Sequence, residues 1–326
     1  LSLIYPLRVF FVLLVVSIAA LAAPDAMQLL QSGHADQALQ LLNSQIQRNP
    51  NDAAAYNLLG RVYFQIEHWD DAIRAAEKSV ALAPDSSEYH QWLARIYGEK
   101  ADVVGKLHPV SAISLVRKVK AEFEKAVALD TDGKNLSARS DLAEFYLEAP
   151  YIMGGDKTKA RKLAEFVMNK DAALGHYMLG RLNEKQNVKD RAEEEYKAAI
   201  QASDNLARYW VSLASFYRRA GRLDDMQAAL DKSLTAKREQ GIALFDGASL
   251  LLTAGRNFPQ AIKMFRQYLS LNDPTEDGPT FEAHYLLGTL LEKQGDIKEA
   301  IAEYRAALAL ASEYKPAQDA LARLGK

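Results

Sequence analysis

Residues 53–84 read AAAYNLLGRVYFQIEHWDDAIRAAEKSVALAP, and this stretch decides the fold. Tyr56, Leu59, Gly60 and Tyr63 fall at i, i+3, i+4 and i+7, the spacing of one helix face. After a short break Ala72, Ala76 and Ser79 repeat at i, i+4 and i+7, so a second helix follows and the pair makes a hairpin. Pro50 and Pro84 stand 34 residues apart and close successive units.

The same period recurs along the chain. Trp210, Leu213, Ala214 and Tyr217 pair with Met226, Leu230 and Ser233, and His284, Leu287, Gly288 and Leu291 pair with Ala300, Tyr304 and Ala307. Gly33, Gly221 and Gly295, with Asn187 equivalent, stand where each first helix should end, because they tolerate the left-handed conformation. Composition agrees: 17 Gly and 10 Pro in 326 residues are too few for a turn-dense all-β chain, and 49% apolar residues suffice for a core.

These residues resemble the tetratricopeptide repeat (TPR), a 34-residue helical hairpin with large residues at positions 4, 7, 11 and 24 and small ones at 8, 20 and 27. The resemblance implies an all-α TPR helical-hairpin solenoid, a right-handed superhelix with a C-terminal capping helix, that works by binding proteins. Units are expected to start at Ala53, Ser87, Leu136, Ala173, Ala207, Ile242 and Phe281. A shortened unit carrying Ala38, Leu42 and Pro50 precedes them, and a cap helix at 315–326 follows. About eight repeats would then fill residues 23–326 as one domain.

In the resembled family, positions 2, 5, 9, 12 and 13 of the first helices line a concave groove that takes an extended peptide or a partner helix. Carried over here, they include Asn57, Arg61, Phe64, Gln65, Gln91, Arg95, Glu144, Tyr177, Arg181, Arg208, Arg218 and Tyr285. Arg61, Arg95 and Arg181 share position 9, where their planar forks could hold partner carboxylates or pair with Glu88, Glu99, Glu144 or Glu184 of their own chain. The Lys–Asn carboxylate clamp of the chaperone-tail receptors is missing: Asn57 and Arg61 occupy those positions.

Two insertions individualise the chain. Residues 98–119 lengthen one hairpin, with a tip expected at Gly105–Pro109, and residues 148–156 lengthen the next turn. Both join a first helix to a second, so they should emerge from one edge and touch. Leu107, His108, Val110, Ile113, Tyr151, Ile152 and Met153 would then form an apolar cluster that either covers itself or docks a partner. The segment from Phe145 to Gly155 is similar to one in secreted bacterial TPR proteins.

Forty basic against 42 acidic residues leave a net charge of −2, without the positive surplus that a nucleic-acid partner would require. The absence of cysteine excludes disulfides, thiolate nucleophiles and cysteine-held zinc. No H-E-x-x-H, G-x-S-x-G, P-loop or Rossmann fingerprint occurs, and His90, His176 and His284 share packing position 4. No catalytic, metal-binding or cofactor-binding residue is therefore expected, and the chain reads as a non-enzyme.

After Arg8, the apolar run Val9–Ile18 and the small residues Ala19–Ala23 have the order of a secretory signal, with cleavage expected after Ala22. The competing reading is an anchor formed by residues 1–23, although the run is shorter than the roughly 20 residues a span needs. The expectation is an exported, periplasmic or extracellular scaffold of the bacterial envelope that binds a protein or peptide in its groove. The alternative is an inner-membrane-anchored structural or assembly component that self-associates or docks on a membrane complex. Membrane contact is expected only if the N-terminal segment is retained.

Overall fold

A computed structural model describes residues 25–325 apart from 240 and 272, and only the backbone of 107 and 109. The signal or anchor expected at 1–23 lies outside the described residues. Helices pair in sequence: α1 (Ala26–Gln31) with α2 (Ala35–Arg48), α3 (Ala53–Gln65) with α4 (Trp69–Leu82), α5 (Ser87–Leu107) with α6 (Pro109–Leu129), and α7 (Leu136–Glu148) with α8 (Lys157–Met168). Then come α9 (Ala172–Lys185) with α10 (Lys189–Ala202), α11 (Ala207–Arg219) with α12 (Leu223–Thr235), α13 (Ile242–Ala254) with α14 (Phe258–Leu271), and α15 (Thr280–Gln294) with α16 (Ile297–Leu310). A last helix, α17 (Lys315–Arg323), buries Ala317, Ala320 and Leu321 and leaves Gln318 and Asp319 in solvent. The molecule is all-α, with only isolated bridges outside the helices among the described residues.

Close approach within a hairpin explains the small residues. A Cβ added at Gly288 would stand 2.7 Å from the Tyr304 ring, so the tyrosine of the second helix lies directly on the backbone of the first. Tyr196 and Tyr304 are fully buried, and their hydroxyls donate to Glu184 (2.9 Å) and Glu292 (2.7 Å) across the same hairpins. The histidines at position 4 face carboxylates of their own second helices, His176 Nδ1 to Glu195 at 2.7 Å and His284 Nδ1 to Glu303 at 2.6 Å. Asp52, Asn135, Asp171 and Asp296 cap helix starts by accepting from the third amide.

The first helices end in left-handed residues at Gly33 (φ 69°), Asn187 (61°), Gly221 (74°) and Gly295 (88°). At the equivalent place in the second unit stands Glu67, with φ 63°, which costs an L-residue about 1–2 kcal/mol. The long hairpin has two 21-residue helices joined through His108, and the next turn carries a 3₁₀ segment, Tyr151–Met153.

The stack turns far enough to meet itself. Leu30, Ala38 and Leu42 share one buried core with Phe281, Ala307, Ala311, Tyr314 and Ala317, almost the whole chain away. A Cβ at Gly33 would come 2.5 Å from the Thr280 nitrogen, and the Ser312 amide donates to both Asp36 oxygens at 3.1 Å. The solenoid is therefore a closed curl with an apolar seam between its first and last hairpins. Its inner face lines the hollow of the curl.

Candidate functional site

Three cavities occupy the interior, of about 520, 450 and 220 Å³, and all three border Asp277. Asp277 sits at the tip of the connection between α14 and α15, where Thr275 and Gly278 pair in a tight turn. The Tyr268 hydroxyl receives the Thr275 amide (3.2 Å) and donates to the Gly278 carbonyl, which fixes the turn from behind. Glu276 then reaches across the seam to Arg61, whose Nε donates to Glu276 Oε1 at 2.8 Å. Gln65 Nε2 donates to the Glu276 carbonyl at 3.0 Å and to the Leu30 carbonyl at 3.3 Å.

Arg61 also donates to Glu88 (3.0 Å), lies 4.6 Å from the centre of the Trp92 ring and is buried with Asn57. Arg95 donates to Asp141 (2.6 Å) and Ser137 (2.9 Å), and Gln91 bonds the same two residues at 2.7 Å each. Arg181 is held by Glu144, Glu148 (2.8 Å) and Glu184 (3.3 Å). Burial alone would lower the Arg181 pKa, but the Glu144 carboxylate outweighs it and raises it. The three position-9 arginines thus tie the chain to itself and stiffen the wall. Arg208 pairs with Glu239 at the mouth of the largest cavity, which Tyr177 also lines. Arg218 is half-buried with its Nε unpartnered, and Tyr285 packs between Tyr304 and Tyr314. Phe64 stands edge-on to Trp69 and Trp92.

With Arg61, Arg95 and Arg181 engaged, several acidic groups at the hollows are left over. Among the described residues none of Glu67, Glu99, Asp246, Asp277 or Glu282 has an ion-pair partner, and all five face the interior cavities. Glu282 is only partly covered and the other four are exposed within the hollow of the curl. Burial among the surrounding walls, then Glu67 and Asp246, push the Glu282 carboxyl up to about 7. Burial and then Asp277 push Asp246 up to about 7 as well. Glu67 is raised by burial, and Glu99 by burial and then Asp102.

The sign of the pH effect follows. A carboxyl whose folded value lies above its unfolded one penalises the fold once ionised, so this share of stability is lost as pH rises from about 4 toward 7. Glu282→Gln is expected to raise the melting temperature at pH 8, by a margin that vanishes toward pH 4. Differential scanning calorimetry across that range checks it, and a gap independent of pH would mean that Glu282 meets bulk water.

The insertion edge is built differently from the single cluster expected. The 3₁₀ turn meets α6 at Lys120, whose side chain would lie 2.8 Å from a Cβ at Gly154. That is ten residues, or about 15 Å of helix, beyond Val110. Val110 (81% exposed), Tyr151 (89%) and Ile152 (90%) therefore stand in solvent at separate places, with His108 exposed and Met153 half-buried. The Leu107 side chain lies outside the described residues.

Sequence reading missed Glu276, Asp277, Glu282 and Glu67. Two signals for them exist: Ile242 and Phe281 are farther apart than one 34-residue period, and Glu67 replaces the glycine or asparagine found at its repeat position. Among the described residues no group of three or more His, Asp or Glu side chains is placed to hold a metal ion, and no helix is long and apolar enough to cross a membrane.

A stack of helical hairpins that curls back on itself around polar hollows is a helical repeat protein. Tetratricopeptide repeats match residues 29–96, 207–240 and 245–315, and the chain belongs to the tetratricopeptide repeat family. Members of that family are generally non-catalytic and bind protein or peptide partners. Similar solved structures include a tetratricopeptide repeat protein from Parabacteroides merdae, 12% identical over 82% of this chain and 96% of that one, with a TM-score of 0.48. Yeast Tom70 is 16% identical over 89% of this chain and 59% of its own, with a TM-score of 0.50. PilW, a type IV pilus biogenesis factor, is 15% identical over 63% of this chain and 86% of its own, with a TM-score of 0.47. At 16% identity the likeness to Tom70 speaks to the fold alone.

Proposed function

We propose that the protein is a non-catalytic scaffold of the bacterial envelope, exported by its N-terminal segment, that holds a partner protein against the inner face of the curl. The observation that carries this reading is the set of unpaired carboxylates around neighbouring interior cavities in a wall whose position-9 arginines, Arg61, Arg95 and Arg181, are already tied. Such a surface is polar, pre-formed and charged in one sense, which favours recognition and steering of an oppositely charged partner.

Site-specific photo-crosslinking tests it. A crosslinker at Ser212, which lines the largest of the three cavities, is expected to give one defined adduct in envelope extracts, whereas one at the exposed Lys263 of α14 gives none. Adducts from Lys263 alone would overturn the reading.

A second reading rests on Tyr151 and Ile152, which are far more exposed than isolated apolar residues usually are. In that reading the chain stays anchored by residues 1–23 and docks through this edge onto a membrane assembly. Crosslinks from position 151 and an unprocessed N-terminus would favour it over the first.

A further inference from the structure

The smallest interior cavity, about 220 Å³, lies at the seam between α3, α5 and α15. Its acidic lining is Glu67, Glu99, Asp277 and Glu282, together with Glu276, which Arg61 neutralises. Its aromatic lining is Phe64, Trp69, Trp92 and Tyr314. Four carboxylates and one amide oxygen here have no partner among the described residues. Glu282 is partly covered yet accepts no hydrogen bond from any described residue. Gln65 points its amide nitrogen at two carbonyls, which leaves its Oε1 buried without a donor. Unsatisfied acceptors in a confined space are costly unless a ligand brings donors.

We infer that this cavity binds an organic cation, an ammonium or guanidinium group of the kind carried by a lysine or arginine side chain. Such a group has donors and no acceptors, which matches the carboxylates and the Gln65 Oε1 of the lining. Phe64 and Trp69 offer rings to the same charge. The volume is below the roughly 300 Å³ at which small-molecule pockets begin and fits one extended side chain. The carboxylates do not converge as ligands of a single metal ion among the described residues, so their spread suits a longer cation. Glu67 acts on both Glu99 and Glu282, which makes the three one field. The nearest competing cations are largely committed: Arg61 is held by Glu276 and Glu88, and Arg95, which acts on Asp277 and Glu276, is held by Asp141, while Lys106 offsets part of the field at Glu99.

Phe64, Trp92, Glu99 and Asp277 are shared with the 450 Å³ cavity, so a segment anchored here continues along Asp102, Asp141 and Glu144. The partner is thereby specified as one carrying a basic segment, and this rests on the inner-face reading proposed above.

Titration calorimetry at low salt with the peptide acetyl-Ala-Lys-Ala-Ala-Lys-Ala-amide, its norleucine analogue and free cadaverine tests the site. The lysine peptide is expected to bind at least about tenfold tighter than the norleucine one, with affinity falling as salt rises. The double variant Glu67→Gln, Glu282→Gln is expected to lose that preference while melting no lower than the parent at pH 8, so the loss is not unfolding. Cadaverine binding as tightly as the peptide would make a free amine the ligand of the same site, and weaker binding would make it a side chain. Equal affinity for lysine and norleucine peptides, or an unchanged double variant, overturns the inference. Inner-face crosslinks persisting in that case would leave the scaffold reading intact.

Discussion

Phe281→Ala is expected to lower the free energy of unfolding by about 3–5 kcal/mol and to let the curl open. Phe281 is fully buried, its ring 4.9 Å from that of Tyr314, in the core shared by the first and last hairpins. A fully buried phenylalanine contributes its transfer energy and fills a volume that the two facing hairpins cannot both collapse into. The site differs from a packing position inside one hairpin. In an open stack each unit touches only its neighbours, and loss of an end contact would fray that end alone. Here the same ring joins α15 to helices near the N-terminus, so its removal weakens closure as well as the last hairpin. Small-angle scattering should show a larger radius of gyration for the variant under conditions where circular dichroism still reports full helicity. Lost stability without any change of radius would mean that the polar bridges, Arg61 to Glu276 and Asp36 to Ser312, hold the seam by themselves.

The hairpins were legible because their causes are local. Gly60 and Gly288 face a second helix within the same unit, and Gly33, Asn187, Gly221 and Gly295 end helices for reasons of backbone sterics alone. Closure was not legible, because it depends on a small rotation added at every repeat and no single residue carries that sum. Phe281 reads as an ordinary packing position whether or not Leu30 waits on its other side. Arg61 shows the same limit at the inner face. Its repeat position places it in the groove, but its partner Glu276 lies on a turn that sequence spacing marks only as extra residues. The carboxylates left unpaired are visible only by subtraction, after the cations of the structure have been assigned.

The second large effect is expected at the joint between the third and fourth hairpins. Asp130 and Arg139 are both buried and paired there, and Arg139 also donates to the Asp130 carbonyl (3.1 Å) and the Asn135 carbonyl (3.3 Å). The Asp130 carboxylate accepts the Lys134 amide at 3.1 Å as well, so one side chain organises the whole turn from α6 to α7. Arg139 lies 4.4 Å from the centre of the Phe166 ring and is only 7% exposed. Asp130→Ala leaves that guanidinium buried without a counter-charge, and breaking a buried pair in this way costs about 3–5 kcal/mol. Removing both charges should cost less, because the double variant Asp130→Ala, Arg139→Met buries neither ion, and the difference in a double-mutant cycle isolates the coupling. A closed curl adds a further expectation. Because the seam still holds the two ends together, Asp130→Ala should expose residues 131–135 to proteolysis before it releases either half, whereas an open rod would part into two fragments at once. Denaturant unfolding with limited digestion distinguishes these outcomes, and a single variant no less stable than the double one would show that Arg139 reaches water that the folded joint is taken to exclude.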